Sequence, residues 1–173
     1  MAIQELGFDL TIGDRIWIAT ALLHRQYPSR DSFLKDEIRK KLAEEHLDEG
    51  IKPGSISAHL SDHLVANVPA SSGKYRMLFE VSPGKLRLFR PGDLTHPSRV
   101  QRRTPSKTVP EAAQIPTKYQ PLIDWYRRWI EKNSKEAGNW QNDPLIRLVG
   151  SGRHIWADEH ADQYVENLRR EDI

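Results

Sequence analysis

An α+β fold, mainly helical, follows from three features of this 173-residue sequence. Apolar residues recur at three- and four-residue intervals in three stretches before residue 69. The interval drops to two between residues 75 and 90, around a Pro-Gly turn. It returns to helical spacing over 117–133, beyond a proline-rich stretch.

The first helix is predicted from Gly13 to Tyr27, stopped by Pro28, with Ile16, Ala19, Leu22, Leu23 and Tyr27 on its apolar stripe and Trp17 and Ile18 widening it. The second has Asp31 as N-cap and buries Phe33, Leu34, Ile38 and Leu42, ending at Asp48-Glu49-Gly50. Lys52-Pro53-Gly54-Ser55 opens the third, with proline pre-set for a first helical turn. Its residues Ile56, Leu60 and Leu64 face inward, and Asn67-Val68-Pro69 ends it. Tyr75, Met77, Phe79 and Val81 then alternate with Arg76, Leu78 and Glu80, and the chain returns through Leu86 and Leu88 after Ser82-Pro83-Gly84-Lys85. In that turn proline fixes φ and glycine permits positive φ.

Three helices and a hairpin in this order predict a winged helix–turn–helix over residues 1–93. In that module the third helix enters the major groove and the hairpin touches the adjacent backbone or minor groove. Prolines 97, 105, 110 and 116 make residues 94–116 an extended basic arm or linker. Residues 117–133 are an amphipathic helix with Tyr119, Leu122, Ile123, Tyr126, Trp129 and Ile130 on one face and Trp125 at its edge. This stripe either packs on the domain or forms a homodimer interface, and packing is the commoner use. Residues 143–173 form a tail broken by Gly150-Ser151-Gly152, with a short final helix.

Charge is unevenly spread. Residues 1–93 carry 13 basic and 13 acidic side chains, 94–135 carry 9 and 3, and 136–173 carry 4 and 8. Within the neutral first block, Lys52 to Gly92 holds 6 basic and 2 acidic residues. The candidate contacts to double-stranded DNA are therefore Lys52, Ser55 and His59 on the third helix and Lys74, Arg76, Lys85, Arg87 and Arg90 on the hairpin. Asp62 opposes them, since a carboxylate repels phosphate.

No catalytic residue is assigned. Cysteine is absent, which excludes disulfides and thiolate metal sites. There is no Gly-x-Ser-x-Gly and no phosphate-cradling glycine loop. His59 and His63 have the i, i+4 spacing of metal ligands, but no third ligand pattern accompanies them, so neither a metal nor a cofactor is expected. No apolar run approaches a membrane span, and the first residues lack a basic n-region, so a cytoplasmic protein without membrane contact is expected.

The tail reads as a partner-binding segment. Leu145, Leu148, Trp156, Tyr164 and Leu168 are large apolar groups in small patches, in an otherwise polar and acidic stretch, and Arg153 follows the glycine hinge. Its run of Leu145, Leu148, Gly150-Ser151-Gly152-Arg153, Trp156, Asp158, Asp162, Tyr164-Val165, Leu168 and Arg169 resembles the toxin-binding segment of type II antitoxins. That resemblance implies a PIN-domain ribonuclease toxin as partner, with Arg153 directed to its acidic metal site. Residues 13–130 resemble an uncharacterised bacterial and archaeal domain. The resemblance lies in Trp17-Ile-Ala, Pro53-Gly, His63-x-x-Ala-Asn, Tyr75-Arg-Met-Leu, Leu88-Phe-Arg-Pro-Gly-Asp and Trp125-Tyr. The expected function is a DNA-binding antitoxin and transcriptional regulator. The alternative is a free-standing nucleic-acid-binding regulator whose tail packs on itself.

Overall fold

The computed structural model describes residues 10–70, 75–100 and 106–137, with side chains through residue 133. Contacts divide the chain into Met1–Lys132 and Asn133–Ile173, and the first unit is the one described below. The candidate tail residues Leu145, Leu148, Arg153, Trp156, Tyr164 and Leu168, and Lys74 of the hairpin, lie outside the described residues.

The fold is α+β. Helix α1 (Ile12–Gln26) begins at Thr11, whose hydroxyl oxygen accepts the Asp14 N–H and donates its own proton to the Asp14 carboxylate at 2.7 Å. Ile16, Trp17, Ile18 and Ala19 are fully buried, so this helix is the core's central element. Gly13 makes that possible, because a Cβ there would stand 3.1 Å from Leu64 Cδ2.

Strand β1 (Phe33–Leu34) leads directly into helix α2 (Lys35–Glu44). The Glu37 carboxylate accepts the Leu34 N–H at 2.8 Å and both Arg30 terminal nitrogens, which fixes the strand-to-helix corner. This corrects the sequence reading, which placed Phe33 and Leu34 on the buried face of a helix. Phe33 is buried, but as a strand residue opposite Leu86, and Leu34 is 47% exposed. Helix α2 also ends earlier than Asp48, because His46 takes positive φ and Leu47 reaches back to the Leu42 carbonyl at 2.8 Å.

Helix α3 (Pro53–Ala58) carries proline in its first turn and runs on into a π turn, His59–His63. Strands β2 (Leu78–Ser82) and β3 (Lys85–Leu88) follow, and the antiparallel sheet has the order β1–β3–β2. A bulge between Glu80 and Ser82 takes Val81 out of register and leaves it 44% exposed. Leu78 is fully buried, so the alternation expected from Phe79 and Val81 does not mark the inner face. The outer edge of β2 is closed by main-chain bonds between Leu78 and Leu64 and Ala66, and then by Asn67. The Asn67 side-chain amide donates to the Glu80 carbonyl at 2.9 Å and accepts its N–H at 3.0 Å.

Residues 94–116, where described, are not a free arm. They contain the one-turn helix α4 (Pro97–Val100) and a 3₁₀ turn, Ala112–Gln114, and they bury Arg99 and Ile115. Prolines prevent a long helix but fit the first turn of a short one. A second 3₁₀ turn (Thr117–Tyr119) precedes helix α5 (Pro121–Ala137). Its stripe packs on the domain: Tyr126 meets Trp17 edge-on at 5.4 Å, and Trp129 lies 4.9 Å from His24.

Candidate nucleic-acid interface

The first residues of α3 form an exposed corner of the molecule. Lys52, Pro53 and Gly54 are exposed, and Ser55 and His59 are half-buried behind them. His59 Nδ1 lies 2.8 Å from the Ser55 carbonyl, which can only accept, so the ring donates here. The ring also packs edge-on against His63 at 4.7 Å. Ser57 donates to the Pro53 carbonyl and accepts from Arg39 of α2 at 3.2 Å. Arg39 was not among the sequence candidates. It is joined to α3 through this long-range contact, which no local pattern signals.

The hairpin turn lies beside the start of α2, where the Lys35 N–H donates to the Gly84 carbonyl at 3.1 Å. Gly84 has φ 76°. Lys85 is exposed on this turn and faces Leu34 across the sheet. Helix α2 thus reaches the hairpin turn through the Lys35 N–H and reaches α3 through Arg39. The carboxylates here are occupied. Glu80 lies 3.8 Å from Lys35 and accepts the Gly84 N–H, Asp36 pairs with Arg39, and Glu37 pairs with Arg30.

Three further hairpin candidates, Arg76, Arg87 and Arg90, are packed against the hairpin and its neighbours. Arg87 is 7% exposed, holds Asp93 through two bonds of 2.7 and 2.6 Å, and lies over the Phe79 ring at 4.5 Å. Arg90 reaches Asp31 at 2.6 Å and covers the Trp129 ring at 4.5 Å. Arg76 is half-buried, with its guanidinium 5.9 Å from the Phe89 ring. Asp93 also accepts the Arg90 N–H at 2.7 Å, so the Arg-x-x-Arg-Pro-Gly-Asp stretch is a self-closed turn at the foot of the hairpin.

Behind that turn His24 is buried, with Nε2 accepting the Leu88 N–H at 3.3 Å and Phe33 and Trp129 against its ring. Burial, helped by the nearby Arg90 cation, lowers its pKa to about 4, so it is neutral at pH 7. Tyr126 donates to the Phe89 carbonyl at 2.5 Å, and burial pushes its pKa up. Lys107 pairs at 2.8 Å with Asp14, which is fully buried at the start of α1.

Among the described residues no group of three or more His, Asp or Glu side chains is placed to hold a metal ion. No described helix is long and apolar enough to cross a membrane. The chain matches no family model, no curated protein and no solved structure.

Proposed function

We propose that this protein is a DNA-binding antitoxin. Residues 1–93 act as a winged helix–turn–helix on duplex DNA, and the C-terminal segment neutralises a PIN-domain ribonuclease. One observation carries the DNA reading. The order α1–β1–α2–α3–β2–β3, with β3 central in the sheet, supports a winged helix, and Lys52 just before α3 and Lys85 at the hairpin turn are both exposed. Phosphate attraction from these cations supplies affinity, and α3 supplies contacts to base edges. The toxin reading is supported by the tail's sequence, with its Gly150-Ser151-Gly152 hinge, Trp156 and Tyr164.

The test is fluorescence anisotropy on a labelled duplex taken from the DNA upstream of the protein's own reading frame, across salt concentrations. Lys52→Ala with Lys85→Ala should weaken binding and flatten the salt slope by about 2, from roughly 0.9 per phosphate contact. An unchanged slope refutes the assignment of this face. For the tail, the chain cut after Gln141 should keep its DNA affinity and lose the ability to rescue growth when a PIN-type product of the adjacent reading frame is co-expressed. Rescue by the truncated chain refutes the antitoxin reading.

A further inference from the structure

The end of α3 is held by a residue some 36 positions further along the chain. After Ala58 the helix widens into the π turn, and its last carbonyls, those of Asp62 and His63, point toward α4. Arg99 meets them there and is 4% exposed. Its Nε donates to the Val68 carbonyl at 2.7 Å. Nη1 donates to Tyr75 at 3.0 Å and to His63 at 3.5 Å, and Nη2 donates to Asp62 and, at 3.5 Å, to Pro69. One guanidinium thus gathers five carbonyls from the helix end, the loop after it and the residue leading into β2. The planar fork of arginine suits this task, and lysine, a point charge on a single nitrogen, cannot span it. A cation also complements the negative end of a helix. Helix α4 is itself docked: the His96 N–H donates to Ala66 at 2.9 Å, and Ser98 Oγ accepts the Ala70 N–H at 3.1 Å.

We propose that Arg99 is a positioning residue for the nucleic-acid face. It touches no DNA, and it sets the orientation of α3 by tying the helix end to the segment that leads into β2. The inference rests on the DNA reading above. Arg99→Lys is the informative variant, measured by amide exchange, by duplex binding on the same upstream fragment and by urea unfolding. Amides of Leu60 to Val65 should exchange at least about tenfold faster, and duplex affinity should fall about tenfold, as expected when charge-assisted hydrogen bonds are lost. In Arg99→Gln, which removes the charge, the salt slope should stay as in the wild type. A merely structural role lowers stability and leaves the folded fraction's affinity alone, which Tyr126→Phe, remote from α3, calibrates. Affinity within twofold of wild type overturns the proposal, as does a salt slope flatter by about 0.9 in Arg99→Gln, which would mark Arg99 as a phosphate contact. If Arg99→Lys does not fold, Ser98→Ala loosens α4 and carries the same measurements. Failure of the wild type to bind duplex refutes the DNA reading alone, and the exchange experiment still decides whether Arg99 holds α3.

Discussion

Acid should weaken this fold through one histidine before most carboxylates titrate. His24 is 2% exposed, and its pKa is lowered to about 4 from the 6.5 of a free side chain. Between those values the unfolded chain takes up a proton that the folded chain refuses. The unfolded state therefore binds more protons, and stability rises with pH across that window. The contribution is fully present above pH 6.5 and is lost as pH falls toward 4. At about 1.4 kcal/mol per pKa unit it amounts to roughly 3 kcal/mol, a large share of the 5–15 kcal/mol typical of a domain. The assay is urea unfolding of wild type and His24→Gln between pH 7.5 and 4.5. Glutamine keeps a hydrogen-bond acceptor for the Leu88 N–H and removes the titration. Glu37, whose pKa is lowered by its bonds to Arg30 and to the Leu34 N–H, also loses stabilisation in acid, but equally in both proteins. Wild type should lose about 2 kcal/mol more than the variant over this range. Equal losses would mean that His24 is protonated in the folded state at pH 5 and that the burial argument fails.

Other perturbations follow from the packing. Replacing Lys107 by methionine leaves the Asp14 carboxylate buried without its cation and should cost about 3–5 kcal/mol in urea unfolding at pH 7. Asn67→Ala frees both main-chain groups of Glu80 at the sheet edge and should cost about 2 kcal/mol, with faster amide exchange at Glu80. Tyr126→Phe removes one bond to the Phe89 carbonyl and should cost about 1 kcal/mol in the same assay. Lys85→Ala should flatten the salt dependence of duplex binding by about 0.9, and Arg90→Gln should leave it unchanged, since Arg90 is already spent on Asp31 and Trp129.

The helices were legible because their apolar spacing is long enough to be unambiguous: α1 lies within one residue of its expected ends and α5 within four. The hairpin was legible from Pro83-Gly84 and the change of period. Strand β1 was not. It is two residues long, too short for a period of two to show, and Phe33 with Leu34 fits the i, i+4 pattern of Ile38 and Leu42 equally well. What selects the strand is Leu86, more than fifty residues away. The basic stretch after residue 93 was misread for a similar reason. Proline content excludes long helices, but it says nothing about whether a segment docks.

The cations show how far charge counting reaches. From Lys52 to Gly92 the sequence offers a surplus of positive charge, yet the structure divides it by residue type. Arg87 and Arg90 are drawn inward, each by a carboxylate and an aromatic face, and Arg99 beyond them is buried among main-chain carbonyls. Lys52 and Lys85 stay outside. The division has a chemical origin. A guanidinium is planar, weakly hydrated and able to satisfy several acceptors at once, so burying it in a ready-made set of partners costs less than burying an ammonium, which keeps its water and remains on the surface. A lysine in a Pro-Gly turn or before a helix-opening proline has no such partner set within reach. Within this stretch, then, the exposed cations among the described residues are lysines. An arginine flanked by aromatic residues and followed at short range by an aspartate, as Arg87 is by Phe89 and Asp93, is part of the scaffold that holds those lysines in place.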